Sequence, residues 1–253
     1  MRHLELKLIL LILLICLAFA SAAYALKPLV YRVEKTIEIE QTVEQFRETV
    51  QTLREEGEEP SSDPPAGTTE EKERPFAELL EDMQYYNAFL CVSHQSGLNS
   101  RSAYEVSHYR LVNYGLPSEV FGVLSIPVLE LEMPIYLGAS ESNMANGAAV
   151  LAQTSIPIGG DNSNAVIAGH RGWNGYPYFL SIDTLRIGDE VIVTNPWETL
   201  RYEVAEIQIV SPDDIDAILI QPGRDMITLL TCHPPNSGGK YRYLVYCERV
   251  CDG

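Results

Sequence analysis

The chain has 253 residues, of which 46% are hydrophobic, and a formal net charge of -17 at pH 7. This length and hydrophobic content suffice for one domain of ordinary size plus appendages. Because so acidic a chain repels phosphate backbones, the composition argues against sequence-independent nucleic-acid binding.

The N-terminal segment is apolar enough to cross a membrane. Leu8 to Leu26 is a run of 19 residues without a formal charge, bounded by Lys7 and Lys27. As a helix it would span about 28 Å, close to the thickness of a hydrocarbon core. The sequence Ala23-Tyr24-Ala25 near its end also fits the cleavage site of a signal peptide. Both interpretations export the rest of the chain, and a retained single-pass anchor is preferred over secretion after signal cleavage.

Residues 28–74 predict an amphipathic stalk helix and an acidic linker. Gly57 to Pro75 is rich in proline and glutamate, a composition that predicts a flexible linker. The helix either pairs with another helix or packs on its own domain, since two heptads do not demand a coiled coil. Its five apolar side chains recur at alternating spacings of four and three: Ile39, Val43, Phe46, Val50 and Leu53.

A second helix and a loop come next. Pro75 suits the first turn of a helix that continues to about Cys91. Val92 to Leu116 has no sustained periodicity, which predicts a loop with some helix near Tyr104 to Leu111. The apolar face of the helix should pack on the domain that follows: Phe76, Leu79, Leu80, Met83, Tyr86 and Leu90.

From about residue 120 the chain is rich in β-forming residues. Turn signals separate the runs, and brief helical inserts are expected at Ser140 to Leu151 and Phe179 to Leu185. Seven or eight short strands with few helices predict a mainly β domain, either a closed barrel or a sandwich. The predicted domain organisation is thus a membrane segment (1–27), a stalk and linker (28–74) and a main domain (75–253). The predicted strands are Phe121 to Ile126, Leu129 to Tyr136, Ala165 to Ala168, Glu190 to Thr194, Arg201 to Val210, Met226 to Thr231 and Arg242 to Cys247.

Three residues from different runs form a candidate site for acyl transfer. Cys232 follows an apolar run that predicts a buried strand, so its thiol should emerge at the surface and could attack a peptide carbonyl to form a thioester. His170, between Gly169 and Gly172, could protonate the departing amine and deprotonate the incoming one. Arg242 could stabilise negative charge on the tetrahedral oxygen.

Each of these residues also has an ordinary structural explanation, as a buried thiol, a turn or a solvated strand edge, and only their joint occurrence favours chemistry. Lys240 and Arg171 are rival cations, but Arg242 is preferred because it lies inside a β-rich run.

The other cysteines carry no predicted chemistry. Cys247 is expected to be buried in the last strand rather than joined to Cys251, and Cys91 is expected to be structural rather than a metal ligand. No metal or organic cofactor is expected.

The site residues and their neighbours resemble the sortase family of cell-surface transpeptidases, and look most like class C, the pilin polymerases. The resemblance covers roughly Tyr86 to Arg249 and implies a closed eight-stranded β-barrel with short helical inserts and N-terminal helices. The similar stretches are Leu124 to Pro127, Leu131 to Gly138, Thr154 to Gly160 and Ile167 to Gly172.

The same resemblance places His170, Cys232 and Arg242 at catalytic positions, with Thr231 and Arg171 as substrate-binding candidates. It implies cleavage of an LPxTG-like sorting signal between Thr and Gly, followed by transfer to an amine. A pilin lysine as acceptor would build a pilus, whereas a cell-wall precursor as acceptor would anchor proteins to peptidoglycan, the housekeeping alternative. The implied partners are sorting-signal proteins such as pilins, the amine acceptor and the membrane.

Two alternatives lie outside this family. A papain-like cysteine hydrolase would carry its nucleophile early in the domain and an Asn or Asp that orients the histidine, which this order of residues does not supply. A β-barrel binding or adhesion module would have no need of Cys232.

Two departures from class C bear on the pilin assignment. Class C enzymes usually carry a lid with an Asp-Pro-aromatic motif before the first strand, but Val92 to Val120 contains no Asp-Pro pair. Asp63-Pro64-Pro65 lacks the aromatic residue and is interpreted as linker. The groove is therefore expected to be open, or covered by an unusual loop around Ser93 to Tyr104. Class C members also often have a C-terminal membrane segment, whereas this chain stops at Gly253, just after the last predicted strand.

Overall fold

The protein is described by a computed structural model that covers residues 2–58, 76–98 and 101–250. Most of the predicted linker, with Asp63-Pro64-Pro65, and Cys251 lie outside these residues. The helices are α1 (Arg2–Glu58), α2 (Ala77–Val92) and α3 (Glu141–Asn146). The strands are β1 (Val120–Ile126), β2 (Leu131–Leu137), β3 (Ala148–Val150), β4 (Ser163–Ala168), β5 (Arg171–Trp173), β6 (Tyr176–Tyr178), β7 (Glu190–Thr194), β8 (Thr199–Val210), β9 (Asp225–His233) and β10 (Tyr241–Arg249).

Eight of the strands close into a barrel in the order β1-β2-β3-β4-β9-β10-β8-β7, and β5 and β6 form a separate hairpin. The pairs β2–β3 and β4–β9 are parallel, whereas the other neighbours are antiparallel. Because every barrel strand has two neighbours, the arrangement is a closed barrel and not a sandwich. The eight-stranded barrel expected from the sequence is confirmed.

The eighth barrel strand, β3, lies where the sequence predicted a helical insert from Ser140 to Leu151, so that prediction was wrong in part. Helix α3 ends at Asn146 because Gly147 passes against β2: a Cβ on Gly147 would lie 2.4 Å from the Pro134 carbonyl oxygen. The alanines that follow are fully buried between β2 and β4, a position decided by the neighbouring strands.

Two further local predictions differ from the structure. The insert expected at Phe179 to Leu185 is only a 3-10 turn at Ile182–Thr184. The helix expected near Tyr104 to Leu111 is replaced by two 3-10 turns on either side of it, Arg101–Tyr104 and Leu111–Tyr114. Both segments contribute buried side chains to the main core, among them Phe179, Ile182 and Leu111, so tertiary contacts outweigh their local preference.

Helix α1 joins the apolar N-terminal segment to the predicted stalk without a break. Its N-terminal part is long and apolar enough to cross a membrane, with a mean hydropathy of 2.7 over the best window. The stalk residues Ile39, Val43, Phe46 and Val50 are buried in the core that they share with α2 and the barrel strands. Of the two alternatives left open by the heptad pattern, the helix therefore packs on its own domain.

Helix α2 packs as its apolar pattern predicts, with Leu79, Leu80, Met83 and Leu90 buried. Its Asn87 fixes the helix to the barrel, because the side chain donates to the Ile156 carbonyl oxygen (2.9 Å) and accepts from the Ile156 amide (2.8 Å).

The alternation of side chains along β4, β9 and β10 decides which residues face the barrel interior and which face the candidate site outside it. Successive residues of a strand face opposite sides of a sheet. One set, including Ile167, Leu229 and Val245, fills the barrel. The other set, including Ala168, Leu230 and Leu244, faces outward and packs under the connection between β8 and β9. Cys247, in the inward set, is buried with a free thiol, as expected.

Candidate active site

His170 and Cys232 lie just beyond the last paired residues of two adjacent parallel strands. Ala168 of β4 pairs with Leu230 of β9, and each predicted site residue follows two positions later. The pairing extends past β4, because the Gly169 amide donates to the Leu230 carbonyl oxygen (3.0 Å). Since paired strands lie about 4.8 Å apart, the imidazole and the thiol share one end of the β4–β9 pair.

Arg242 of β10 lies directly opposite Cys232 of β9. Its Nη1 donates to the carbonyl oxygens of Gly239 (2.8 Å) and Tyr241 (3.2 Å). A Cβ on Gly239 would lie 2.9 Å from this nitrogen and 3.4 Å from the Cys232 sulfur. The thiol and the guanidinium therefore rest against the same glycine, and the free thiol of Cys232 is exposed.

All three residues line one cavity of about 550 Å³ on the outside of the barrel. Its floor is the outward set of β4, β9 and β10 side chains, and one wall is the β8–β9 connection, including Asp213 and Asp214. Tyr104 and Glu105 form part of the opposite wall. The sequence left open whether the groove is open or covered by the loop around Ser93 to Tyr104. The described part of this loop borders the groove and leaves Cys232 exposed, so it does not cover the thiol.

Aromatic side chains of the β5–β6 hairpin support His170. The Trp173 ring stacks on the imidazole, with 4.9 Å between centroids and 16° between planes. The Tyr178 ring meets it edge-on at 5.7 Å. Burial lowers the pKa of His170 below its usual value of 6.5, and Glu141 opposes this effect by its charge. Burial thus favours the neutral form of the imidazole, which can accept a proton.

Gly169 sets the position of His170. A Cβ on Gly169 would lie 2.6 Å from the ring of Phe179, which is fully buried, so only glycine fits. The Phe179 amide donates to the His170 carbonyl oxygen (2.9 Å), and the Thr231 hydroxyl donates to the Gly169 carbonyl oxygen (2.7 Å). These contacts hold the backbone before and after the imidazole.

The two predicted substrate-binding residues have other contacts. Thr231 lies on the cavity wall, and its buried hydroxyl donates to the Gly169 carbonyl oxygen. Arg171 is buried, pairs with Asp183 and lies over the Tyr243 ring (5.4 Å). The expected contact of Arg171 with substrate stays a prediction.

Of the three cations compared in the sequence, Arg242 is the one that lines the cavity, since Lys240 instead lies over the Tyr241 ring (5.3 Å). Among residues 2–58, 76–98 and 101–250, no group of three or more His, Cys, Asp or Glu side chains has the arrangement of a metal site.

The sequence interpretation missed the β5–β6 hairpin and with it Trp173 and Tyr178. A usable signal was present: Asn174-Gly175 between aromatic residues is typical of a two-residue hairpin turn. Tyr104, Glu105 and the β8–β9 connection were also missed as cavity walls, and no local signal identifies them.

The arrangement places a thiol, an imidazole and a guanidinium around one groove. Such a set can form an acyl thioester, move the proton between thiol and amine, and stabilise a tetrahedral oxyanion.

Comparison with known proteins identifies relatives of this arrangement. A family model described as the Sortase domain matches residues 124–250, half of the 253-residue chain. Sortase A of Streptococcus agalactiae is 28% identical over 156 residues, which cover 60% of this chain and 61% of the relative. Sortase A of Bacillus anthracis is 31% identical over 132 residues, covering 52% of this chain and 60% of the relative. The chain therefore spans about three fifths of the length of these curated relatives.

Solved structures of class C sortases are similar over more of the chain. A mutant of sortase C-1 from S. pneumoniae has a TM-score of 0.67 at 27% identity, covering 83% of this chain and 98% of that one. Sortase C of Clostridium perfringens, solved with the C-terminal cell wall sorting motif, has a TM-score of 0.62 at 28% identity, again covering 83% and 98%.

Proposed function

Because the chain belongs to the sortase family, we propose that it is a cysteine transpeptidase that cleaves an LPxTG-like sorting signal through a thioester on Cys232. The observation that supports this proposal is the convergence of Cys232, His170 and Arg242 on one groove. A binding module has no need of an exposed thiol beside a base and a cation, and the barrel is similar to class C sortases throughout.

The proposed reaction has two halves. The Cys232 sulfur attacks the carbonyl of the Thr–Gly bond while its proton passes to the neutral imidazole of His170. Arg242 stabilises the oxyanion, the C–N bond breaks, and His170 returns the proton to the departing glycine amine. An incoming amine then attacks the thioester and loses a proton to His170, the C–S bond breaks, and His170 returns that proton to the departing Cys232 sulfur. Each half conserves the proton, so no cofactor is required.

The roles of Thr231 and Arg171 are structural in this proposal. The Thr231 hydroxyl holds the Gly169 carbonyl and thereby the backbone that carries His170. Arg171, paired with Asp183, ties the start of the hairpin to the turn at Ile182–Thr184. Neither side chain is assigned a direct contact with the sorting signal.

We assign the acceptor as the side-chain amine of a pilin lysine, so that the product is an isopeptide bond in a pilus. The support is the similarity to class C sortases, one of which was solved with a cell wall sorting motif. The N-terminal helix is assigned as a single-pass anchor that leaves the catalytic domain outside the cell, where sorting signals and acceptors meet.

A peptidoglycan-anchoring role is the second candidate, because curated relatives from S. agalactiae and B. anthracis bear the name sortase A. Competing acceptors separate the two roles. The enzyme, loaded with a sorting-signal peptide, is offered a lysine-bearing pilin and an aminated peptidoglycan stem at equal concentration. Preferential isopeptide formation with the pilin supports the first role, and preferential transfer to the stem supports the second.

The nucleophile is tested by mass spectrometry of the enzyme incubated with a sorting-signal peptide. We expect an acyl adduct on the tryptic fragment that contains Cys232, and no adduct or cleavage for Cys232→Ala. Cys91→Ala is the matched control, since Cys91 is a free, half-buried thiol on α2 that does not line the groove. Cleavage that survives in Cys232→Ala, or an adduct on another residue, contradicts the assignment.

A further inference from the structure

The tip of the β5–β6 hairpin lies directly on helix α1. Asn174 and Gly175 both have positive φ, 48° and 90°, as a two-residue hairpin turn requires. A Cβ on Gly175 would lie 2.7 Å from the Pro28 carbonyl oxygen and 3.2 Å from the Pro28 Cβ. The backbone of the turn therefore touches the helix at Pro28.

Pro28 comes only two residues after Leu26, the end of the uncharged run. At 1.5 Å per helical residue, the hairpin tip meets the helix about 3 Å along its axis from the end of this run. If the run crosses a bilayer, the tip lies at the level where the hydrocarbon gives way to headgroups.

Further contacts above the tip fix the hairpin and its neighbours to the same part of α1. The Tyr178 hydroxyl donates to the Ala145 carbonyl oxygen (2.7 Å), just before the end of α3, and burial together with the neighbouring Tyr31 of α1 raises the pKa of Tyr178. The Lys35 ammonium, which is buried, donates to the Asn146 Oδ1 (3.1 Å). The hairpin is thus held along the helix and is not free to move away from the end of the apolar run.

The surface at this level has the composition of a membrane interface. Trp173 of the hairpin is 45% exposed, and three apolar side chains of α1 beyond the run, Leu29, Val30 and Val33, are exposed as well. Lys27 and Arg32 alternate with them. Trp side chains and flanking Lys and Arg are enriched where a transmembrane helix leaves the hydrocarbon.

We propose that the β5–β6 hairpin, through Trp173, rests in the headgroup region of the bilayer that holds α1. The partner is a phospholipid surface and not a second protein, because a bilayer around the apolar run of α1 must reach the level of Pro28. This inference rests on the proposed membrane anchor. Since the Trp173 ring also stacks on His170, the His170 side of the groove lies close to the membrane surface, where membrane-held substrates would be presented.

The proposal is tested with the full chain in vesicles of phosphatidylcholine and phosphatidylglycerol, in which part of the phosphatidylcholine carries bromine either near the headgroup or near the chain end. The chain has two tryptophans, so Trp197→Phe leaves Trp173 as the fluorescent probe. The matched control, Trp173→Phe, leaves Trp197, which packs near Phe121 at the barrel (6.4 Å between centroids). A third variant, Phe19→Trp with both native tryptophans replaced by Phe, reports on insertion of the helix.

We expect Trp173 emission to fall in vesicles with shallow bromine and to fall less with deep bromine, while Trp197 emission is unchanged by either. Quenching at position 19 by deep bromine without any quenching of Trp173 would overturn the hairpin contact and leave the anchor intact. No quenching at either position would overturn both. Equal quenching of Trp173 and Trp197 would overturn the hairpin contact, because it would mean that the whole barrel lies against the lipid.

Discussion

Replacing Gly169 with alanine tests how tightly the fold positions His170. The added methyl group would lie 2.6, 2.7 and 2.9 Å from three ring carbons of Phe179. Phe179 is fully buried, and both the amide and the carbonyl of Gly169 are hydrogen-bonded to β9, so the strand end must shift. Overpacking of this kind costs about 1 to 3 kcal/mol, which corresponds to a fall of roughly 2 to 12 °C in melting temperature.

The shift should cost more in catalysis than in stability. His170 is the next residue, and a misplacement of about 1 Å in a reacting group can lower turnover by about 100-fold. Cleavage of a fluorogenic sorting-signal peptide and thermal melting are therefore measured on the same samples. We expect a loss of turnover of about this size in a protein that remains folded at assay temperature.

Gly223→Ala is the matched control. Gly223 has a positive φ of 77° and no atom within 4 Å of an added Cβ, so the substitution strains the backbone without a clash. It lies in the turn before β9, at the end of the strand away from Cys232. The strain should cost about 1 to 2 kcal/mol with turnover unchanged. Wild-type turnover and melting temperature in Gly169→Ala would refute the reasoning, as would an equal loss of turnover in Gly223→Ala.

Three further predictions concern charge at and below the groove. Arg242→Lys should fold normally and lose about 100-fold or more in turnover, since the ammonium lacks the planar fork of the guanidinium; full activity in the peptide assay would remove Arg242 from the mechanism. Burial lowers the pKa of His170 below 6.5, so the neutral form is favoured by folding. The stabilisation is complete above pH 6.5 and is lost as the pH falls through the lowered pKa. The melting temperature of the wild type should therefore decrease more steeply on acidification than that of His170→Gln. Parallel pH profiles of the two proteins would contradict a half-buried imidazole whose neutral form is favoured by folding. Asp183→Ala leaves the Arg171 guanidinium buried without its partner and should cost about 3 kcal/mol, whereas Arg171→Met with Asp183→Ala should recover most of that loss in chemical denaturation. If the single and double variants are equally stable, the pair does not brace the hairpin.

Much of the fold could be predicted because its signals are local. Seven of the eight barrel strands are runs of β-forming residues between turn signals, and each is a strand within about two residues of its predicted bounds. The eighth, β3, could not be predicted, because Ala148-Ala149-Val150 has no strand preference of its own. It is a strand because β2 and β4 on either side supply hydrogen-bond partners.

The candidate site divides in the same way. The sequence by itself determined which residues are candidates for the chemistry, since a thiol after an apolar strand, a histidine between glycines and an arginine in a returning strand are properties of composition and order. It also determined that α1 carries a row of apolar side chains, from Ile39 to Val50, along one face. Only the tertiary structure decided that this row covers the protein's own barrel, because burial depends on which surfaces meet.

Tertiary structure also decided which groups support the chemistry. Cys232 and Arg242 are opposite each other through the register of β9 and β10, and His170 joins them through the parallel pairing of β4 with β9. Trp173 reaches His170, and Arg171 reaches Asp183, because of the path of one hairpin. Strand register and the course of a turn are set by contacts between distant parts of the chain, and for this reason no local pattern specifies them.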